Sequence, residues 1–124
     1  MNEKSVLIIE DDKFFRDLLT NKLKEAGFNP LPAQDGGEAF NLLKAVKPDL
    51  IVLDLVLPGL SGMEILETLR KEEKTAEVPV IVLSNLSEPE EMEKAKALGV
   101  TDFLVKVNFT PEEIIERIKK ALFF

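Results

Sequence analysis

The sequence predicts an α/β domain built as a doubly wound parallel sheet with helices on both faces. Three observations predict it. Short apolar runs alternate with segments whose apolar residues recur at helical spacing, the pattern of consecutive βα units. The helical segments carry recognisable start and stop residues. Four of the apolar runs, Val6–Ile9, Leu50–Leu53, Val80–Leu83 and Phe103–Val105, lead directly into polar, reactive residues. Those residues are Glu10-Asp11-Asp12, Asp54, Ser84 and Lys106. The carboxyl ends of strands in an open parallel sheet meet along one edge, where ligands bind. The 124 residues fit a single domain, 1–124, with one core.

The elements follow in order. The first strand is Val6–Ile9. The first helix covers about Asp12 to Ala26, with Phe15, Leu18, Leu19, Leu23 and Ala26 on one face and Gly27 ending it. The second strand, Asn29–Ala33, carries Pro30 and Pro32, which a central strand would not tolerate, so it belongs at an edge. It is also the one strand with no reactive residue behind it. The second helix covers about Gly36 to Val46, with Asp35 and Glu38 as a cap pair and Pro48 just beyond. The third starts at Ser61 with Glu64 three positions on, and turns Ile65, Leu66 and Leu69 inward. The fourth starts at Ser87, with Glu90 completing a capping box, and stops at Gly99. Its inward candidates are only Met92, Ala95 and Leu98, so it reads either as an ordinary surface helix or as a moving part. The fifth starts at Thr110, with Pro111 at the first helical position and Glu113 closing the box. Its stripe is Ile114, Ile115, Ile118, Ala121 and Leu122. With the proline strand at the edge, right-handed crossovers make the order 2-1-3-4-5 a natural one.

Composition narrows the function. The formal net charge of −7 argues against nonspecific nucleic-acid binding. The absence of Cys excludes disulfides and thiolate metal sites, and the absence of His removes the commonest metal ligand and general base. The N-terminus leaves no room for a signal peptide, and the longest apolar stretch, Leu50–Leu57, is too short to cross a bilayer. A cytoplasmic protein is the expectation.

Each strand-end residue has a plain structural reading beside a chemical one. One acid of Glu10-Asp11-Asp12 suffices to cap the first helix. Three in a row repel one another and call for a cation. Oxygen ligands alone favour Mg²⁺ over zinc. The division expected is Asp11 on the metal, Glu10 assisting through water and Asp12 capping. Asp54 sits inside Leu-Ile-Val-Leu-Asp-Leu-Val-Leu, an expensive place for an uncompensated charge. It is either a satisfied structural carboxylate or a nucleophile that takes a phosphoryl group, with its second oxygen on the metal. Lys106 is either a snorkelling surface lysine or the ion-pair partner of Asp54. Ser84 is either a turn residue or a hydrogen-bond donor to the phosphoryl group. Phosphoryl transfer needs chiefly positioning and charge neutralisation, which this set supplies.

Across nearly its full length the chain resembles the receiver domain of two-component response regulators. The residues that carry the resemblance are Glu10-Asp11, the segment Asp54-Leu-Val-Leu-Pro-Gly-Leu-Ser-Gly, Ser84 and Lys106, together with the separations 11→54, 54→84 and 84→106. Arg16 matches a frequent family Arg and makes Glu10-Asp11 the acidic pair. The resemblance implies the flavodoxin-like (βα)5 fold. It implies a phosphoryl group accepted by Asp54 from a histidine kinase or phosphotransfer protein. It also implies Mg²⁺ held by Asp11, Asp54 and the Val56 carbonyl. Finally, it implies a switch in which Ser84 moves toward the phosphoryl group and Phe103 turns inward. The face formed by the fourth helix, fifth strand and fifth helix then changes its preference for a downstream protein target.

Several residues depart from the family pattern. Val107 stands where Pro commonly follows the Lys, so a trans peptide and a local rearrangement are expected. Asn85 replaces a small residue and is placed to crowd or hydrogen-bond the phosphoryl site. Phe103 lacks the hydroxyl of the Tyr often found there. Phe123-Phe124 extend beyond the last helical stripe, and are read as packing, dimerising or marking a truncation.

The function expected is a phosphorylation-controlled binding module, a stand-alone receiver that is a monomer or weak dimer, with no nucleic acid or membrane partner. It is not an enzyme beyond taking a phosphoryl group from small donors and losing it. Three alternatives stay open. One is a scaffold of the same fold that binds without phosphorylation. Another is a Mg²⁺-dependent phosphatase with Asp11 or Asp12 as nucleophile. The third, a flavin-binding domain, is opposed by three carboxylates where phosphate would sit.

Overall fold

The computed structural model describes residues 3–85 and 88–123. The chain order is β1 (Ser5–Ile9), α1 (Lys13–Glu25), β2 (Asn29–Ala33), α2 (Gly36–Leu43), β3 (Leu50–Leu53), α3 (Gly62–Lys71), β4 (Val80–Ser84), α4 (Pro89–Ala97), β5 (Asp102–Val105), a short 3-10 turn (Lys106–Asn108) and α5 (Pro111–Phe123). The strands are all parallel and lie in the order β2-β1-β3-β4-β5, as the sequence predicts. Pro30 and Pro32 sit on the edge strand, paired only with β1.

The central strands bury both faces, and residue alternation sorts them. Val6, Ile8, Leu50, Val52, Ile81, Leu83 and Leu104 pack with Leu19 and Leu23 of α1 and Ile114, Ile115 and Ile118 of α5. Leu7, Ile9, Ile51, Leu53, Val80 and Val82 pack with Ala39 and Leu43 of α2, Ile65, Leu66 and Leu69 of α3 and Ala95 of α4. Two apolar layers thus hold a sheet whose free carboxyl edge is left to polar residues.

The caps behave largely as the sequence predicts. Ser61 and Glu64 form a complete capping box, and Thr110 with Glu113 form another. The Asp35–Glu38 pair differs in detail. Asp35 Oδ1 accepts from Glu38 N–H at 2.9 Å, but Glu38 Oε1 accepts from Gln34 N–H, one residue before the cap. Gly27 and Gly99, just past α1 and α4, have φ of +91° and +73°, the left-handed conformation that ends a helix.

Two boundaries move. α2 ends at Leu43, not Val46, because Lys44 and Ala45 tighten into turn bonds back to Asn41 and Leu42, and only Val46 keeps a helical bond, to Leu42. α4 begins at Pro89 behind Glu88, which gives no side-chain cap bond. The predicted cap Ser87 lies outside the described residues. α4 buries only Ala95, with Leu98 packed at the margin, so little apolar area holds it. Its C-terminal end is tied by Arg70 of α3. The Arg70 guanidinium donates to the carbonyls of Leu98 and Gly99 and also to those of Thr75, Ala76 and Val78. Phe123 stacks on Phe28 with ring centroids 6.1 Å apart yet is 62% exposed, and Phe124 lies outside the described residues. No described helix is long and apolar enough to cross a membrane.

Candidate functional site

The carboxyl ends of β1, β3, β4 and β5 bring the predicted residues to one place. The ladder sets the backbone first. Asp54 N–H donates to Ile9 O at 3.1 Å, which seats the start of the β3–α3 loop beside Glu10. Ser84 is fully buried at the end of β4, in register with Val105, one residue before Lys106. Arg16 of α1 donates to the carbonyls of Glu10 at 2.9 Å and Asp11 at 3.3 Å and so holds the acidic loop from outside. Asp12 Oδ1 accepts from Phe14 N–H and caps α1, as the division of labour predicts.

Oxygen atoms of Glu10, Asp11 and Asp54 lie within 4.8 Å of one another. Glu10 and Asp54 are buried and Asp11 is exposed. The Lys106 ammonium bonds Glu10 and also donates to Asp54 Oδ2 at 3.1 Å. The other Asp54 oxygen accepts from Val56 N–H at 3.1 Å. Lys106 is therefore not a snorkelling surface lysine, since its side chain is only 14% exposed. The ion pair expected with Asp54 forms, and the pair with Glu10 adds to it. Three carboxylates against one ammonium leave an excess of two negative charges in a site of oxygen donors only. That donor set and charge suit a hard divalent cation such as Mg²⁺, with Glu10, Asp11 and Asp54 as the candidate holders.

The two partners titrate upward for opposite reasons. Burial raises the Glu10 carboxyl, and the charge of Asp54 adds to that, against the hydrogen bonds from Lys106 and Asp12 N–H. Burial would lower the Lys106 ammonium, but the hydrogen bonds and charges of Glu10 and Asp54 outweigh it and the net shift is upward. A carboxyl raised on folding binds its proton more tightly in the folded state. Its contribution to stability is therefore greatest at acid pH and is lost as pH rises through the folded value. Without metal, Glu10→Gln is thus expected to gain melting temperature relative to the wild type more at pH 8 than at pH 5. Thermal unfolding in chelator checks this, and a difference independent of pH would contradict it.

Two departures noted in the sequence turn out to be partners. Asn85 Oδ1 accepts from Val107 N–H at 3.2 Å, so the amide spans the β4–α4 and β5–α5 loops. A proline at 107 would have no N–H to give. No described peptide bond is cis, as expected, and a 3-10 turn covers Lys106–Asn108. Phe103 is half-buried against the α2–α3–α4 side of the core. Sequence reasoning missed one neighbour. The Phe15 ring, predicted only as core, lies under the Lys106 ammonium, with 4.8 Å from Nζ to the ring centroid. Exposed Phe14, Val56, Leu60 and Val107 lie in the loops and first helical turn that border this edge.

Comparison with known proteins gives a consistent result. Residues 6–119 match the family model of the response regulator receiver domain. The chain is 34% identical over 119 residues to the phosphate regulon transcriptional regulatory protein PhoB of Klebsiella pneumoniae, aligning 96% of this chain with 52% of that one. It is 36% identical over 117 residues to the DNA-binding dual master transcriptional regulator RpaA of Synechocystis, covering 94% and 48% of the two chains. The chain thus spans about half the length of the curated relatives it matches. Among solved structures, the chemotaxis protein CheY4 of Vibrio cholerae superimposes with a TM-score of 0.90 at 28% identity, over 98% of this chain and 100% of that one. A response regulator receiver protein from Pseudomonas putida gives 0.89 at 30% identity, over 97% and 98%.

Proposed function

The chain belongs to the response regulator receiver domain family of two-component signalling, and on that premise we propose that Asp54 is its phosphoryl acceptor and that Mg²⁺, Lys106 and Ser84 complete the site. Receiver domains are signalling modules, not enzymes in the ordinary sense, and they bind Mg²⁺ in an acidic pocket. The observation that carries the finer reading is the paired geometry at Asp54: one carboxylate oxygen on Lys106 Nζ, the other on Val56 N–H.

In the proposed step an Asp54 oxygen attacks phosphorus. The bond from phosphorus to the donor, a phosphohistidine nitrogen or the carboxyl oxygen of acetyl phosphate, breaks with its electron pair leaving on the donor. The buried flank of Glu10 and the β1–β3 ladder hold the nucleophile in place, so little reorganisation is needed. Lys106 stands beside the incoming phosphoryl oxygens to offset their charge, and Ser84 lies one register step away to receive one of them. Bound Mg²⁺ would supply charge neutralisation to the carboxylates and the phosphoryl oxygens. The lightly held α4, directly after Ser84, is the element whose shift would pass the change to the α4–β5–α5 face and its protein target. A histidine kinase or phosphotransfer protein is the proposed donor, and the exposed apolar rim of Phe14, Val56, Leu60 and Val107 supports docking there.

Incubation with acetyl phosphate and Mg²⁺ is expected to add one phosphoryl mass to the intact protein, acid-stable and base-labile, and Asp54→Asn is expected to add none. No adduct on the wild type, or an unchanged one on Asp54→Asn, would overturn the reading in favour of a scaffold that binds without phosphorylation. Mg²⁺ alone should stabilise the fold. At ten times its dissociation constant the gain is about 1.4 kcal/mol. Asp11→Asn should lose most of that gain, which a thermal shift in Mg²⁺ against chelator reads directly.

A further inference from the structure

We propose that Phe15 is a positioning residue for Lys106, its ring holding the ammonium against the Glu10–Asp54 pair. The inference about chemistry rests on Asp54 as phosphoryl acceptor; the contact itself does not. Three observations carry it. The Lys106 nitrogen lies 4.8 Å from the Phe15 ring centroid, inside the range at which a ring face attracts a cation. The ammonium is also held by Glu10 and Asp54 and its side chain is only 14% exposed, so the ring adds a further contact to a nearly enclosed charge. The ring is itself fixed. Phe15 occupies the first turn of α1, whose cap Asp12 accepts from the N–H groups of Phe14 and Phe15, and its side chain packs on the α1–α5 side of the core. Phe14, its neighbour in sequence, is 68% exposed, so the helix start presents the two phenylalanines to different surroundings.

An aromatic face suits this role better than a further carboxylate. A carboxylate would compete with Asp54 for the ammonium's donors and with any cation for the site. A ring attracts the charge through its face and takes up no N–H donor. When Asp54 gains a phosphoryl group, Lys106 must transfer a hydrogen bond from a carboxylate oxygen to a phosphoryl oxygen. A support that does not bind the donors allows that transfer without releasing the side chain to water.

The test compares Phe15→Leu, which keeps the apolar volume, with Phe15→Tyr, which keeps the ring. In the NMR spectrum of the unphosphorylated protein, the Lys106 side-chain protons of the wild type should be shifted upfield by the ring. That shift should vanish in Phe15→Leu and persist in Phe15→Tyr. With acetyl phosphate at saturating Mg²⁺, Phe15→Leu should take up the phosphoryl group about 3- to 10-fold more slowly, Phe15→Tyr should stay within 2-fold or so of wild type, and the Mg²⁺ dissociation constant should not weaken in either, since Lys106 competes for the same carboxylates. A merely structural Phe15 would lower the melting temperature in Phe15→Leu without this split between rate and metal affinity. Unshifted Lys106 protons in the wild type, or an equal loss of rate in both variants, would overturn the proposal. Failure of the wild type to accept any phosphoryl group would defeat the Asp54 reading alone, leaving the proton shifts to decide whether Phe15 holds Lys106.

Discussion

Gly62→Ala is expected to destabilise the protein by about 3 kcal/mol, the upper part of the range for a substitution that forces atoms into filled space. A Cβ at Gly62 would sit 2.2 Å from the Asp54 carbonyl oxygen, 2.4 Å from Leu55 Cα and 2.9 Å from the Asp54 carbonyl carbon. All three are backbone atoms, so no side chain can swing aside. Gly62 N–H also donates to Leu55 O at 3.0 Å, and the capping box at Ser61 fixes the start of α3. Relief therefore requires moving either α3 or the segment that carries Asp54. Gly36→Ala is the control. Its Cβ would meet the far end of the Ile65 side chain at 3.0 Å, which can rotate, so its cost should be about 1 kcal/mol or less. Urea unfolding of both variants checks the ranking, and equal costs would contradict it.

Lys106→Met is expected to destabilise the metal-free protein by about 2 kcal/mol at neutral pH. Removing one partner of a buried ion pair leaves an uncompensated charge, which costs several kcal/mol in a dry interior. Here the cost is reduced because the site opens to solvent at Asp11 and because Glu10, already raised by burial, can take up a proton. Two consequences distinguish this account from loss of packing alone. Lowering the pH should recover part of the stability, since protonation of Glu10 discharges the unpaired carboxylate. Mg²⁺ should recover it as well, and should bind Lys106→Met more tightly than the wild type, because a competing cation has gone from the same carboxylates. Unchanged Mg²⁺ affinity in the variant would contradict the charge arrangement.

The fold and the acidic site were legible in the sequence for definable reasons. Alternation in the strands and helical periodicity report burial directly, and Pro30 and Pro32 report an edge because a missing N–H is a property of the residue itself. Glu10, Asp11, Asp54 and Lys106 stood out because a charge at the end of an apolar run has few inexpensive explanations, and the structure brings those four together. The end of α2 was not, since Lys44, Ala45 and Val46 all suit a helix and only the turn into β3 stops it. Phe15 hid in the helical stripe, because periodicity says that a ring is turned inward without saying what it meets. Arg70 was silent for another reason: its five acceptors are backbone carbonyls, which leave no trace in residue identity. Asn85 and Val107 were each visible as departures, but their hydrogen bond joins loops 22 residues apart.

The central claim is that Asp54, among the clustered acids, receives the phosphoryl group. Borohydride reduction of the acetyl phosphate-treated protein, followed by peptide mass spectrometry, tests it most directly, because hydride converts an aspartyl phosphate to homoserine and marks the residue. The account predicts homoserine at position 54 alone, dependent on Mg²⁺. Homoserine at position 11 or 12, or no conversion at all, would contradict it.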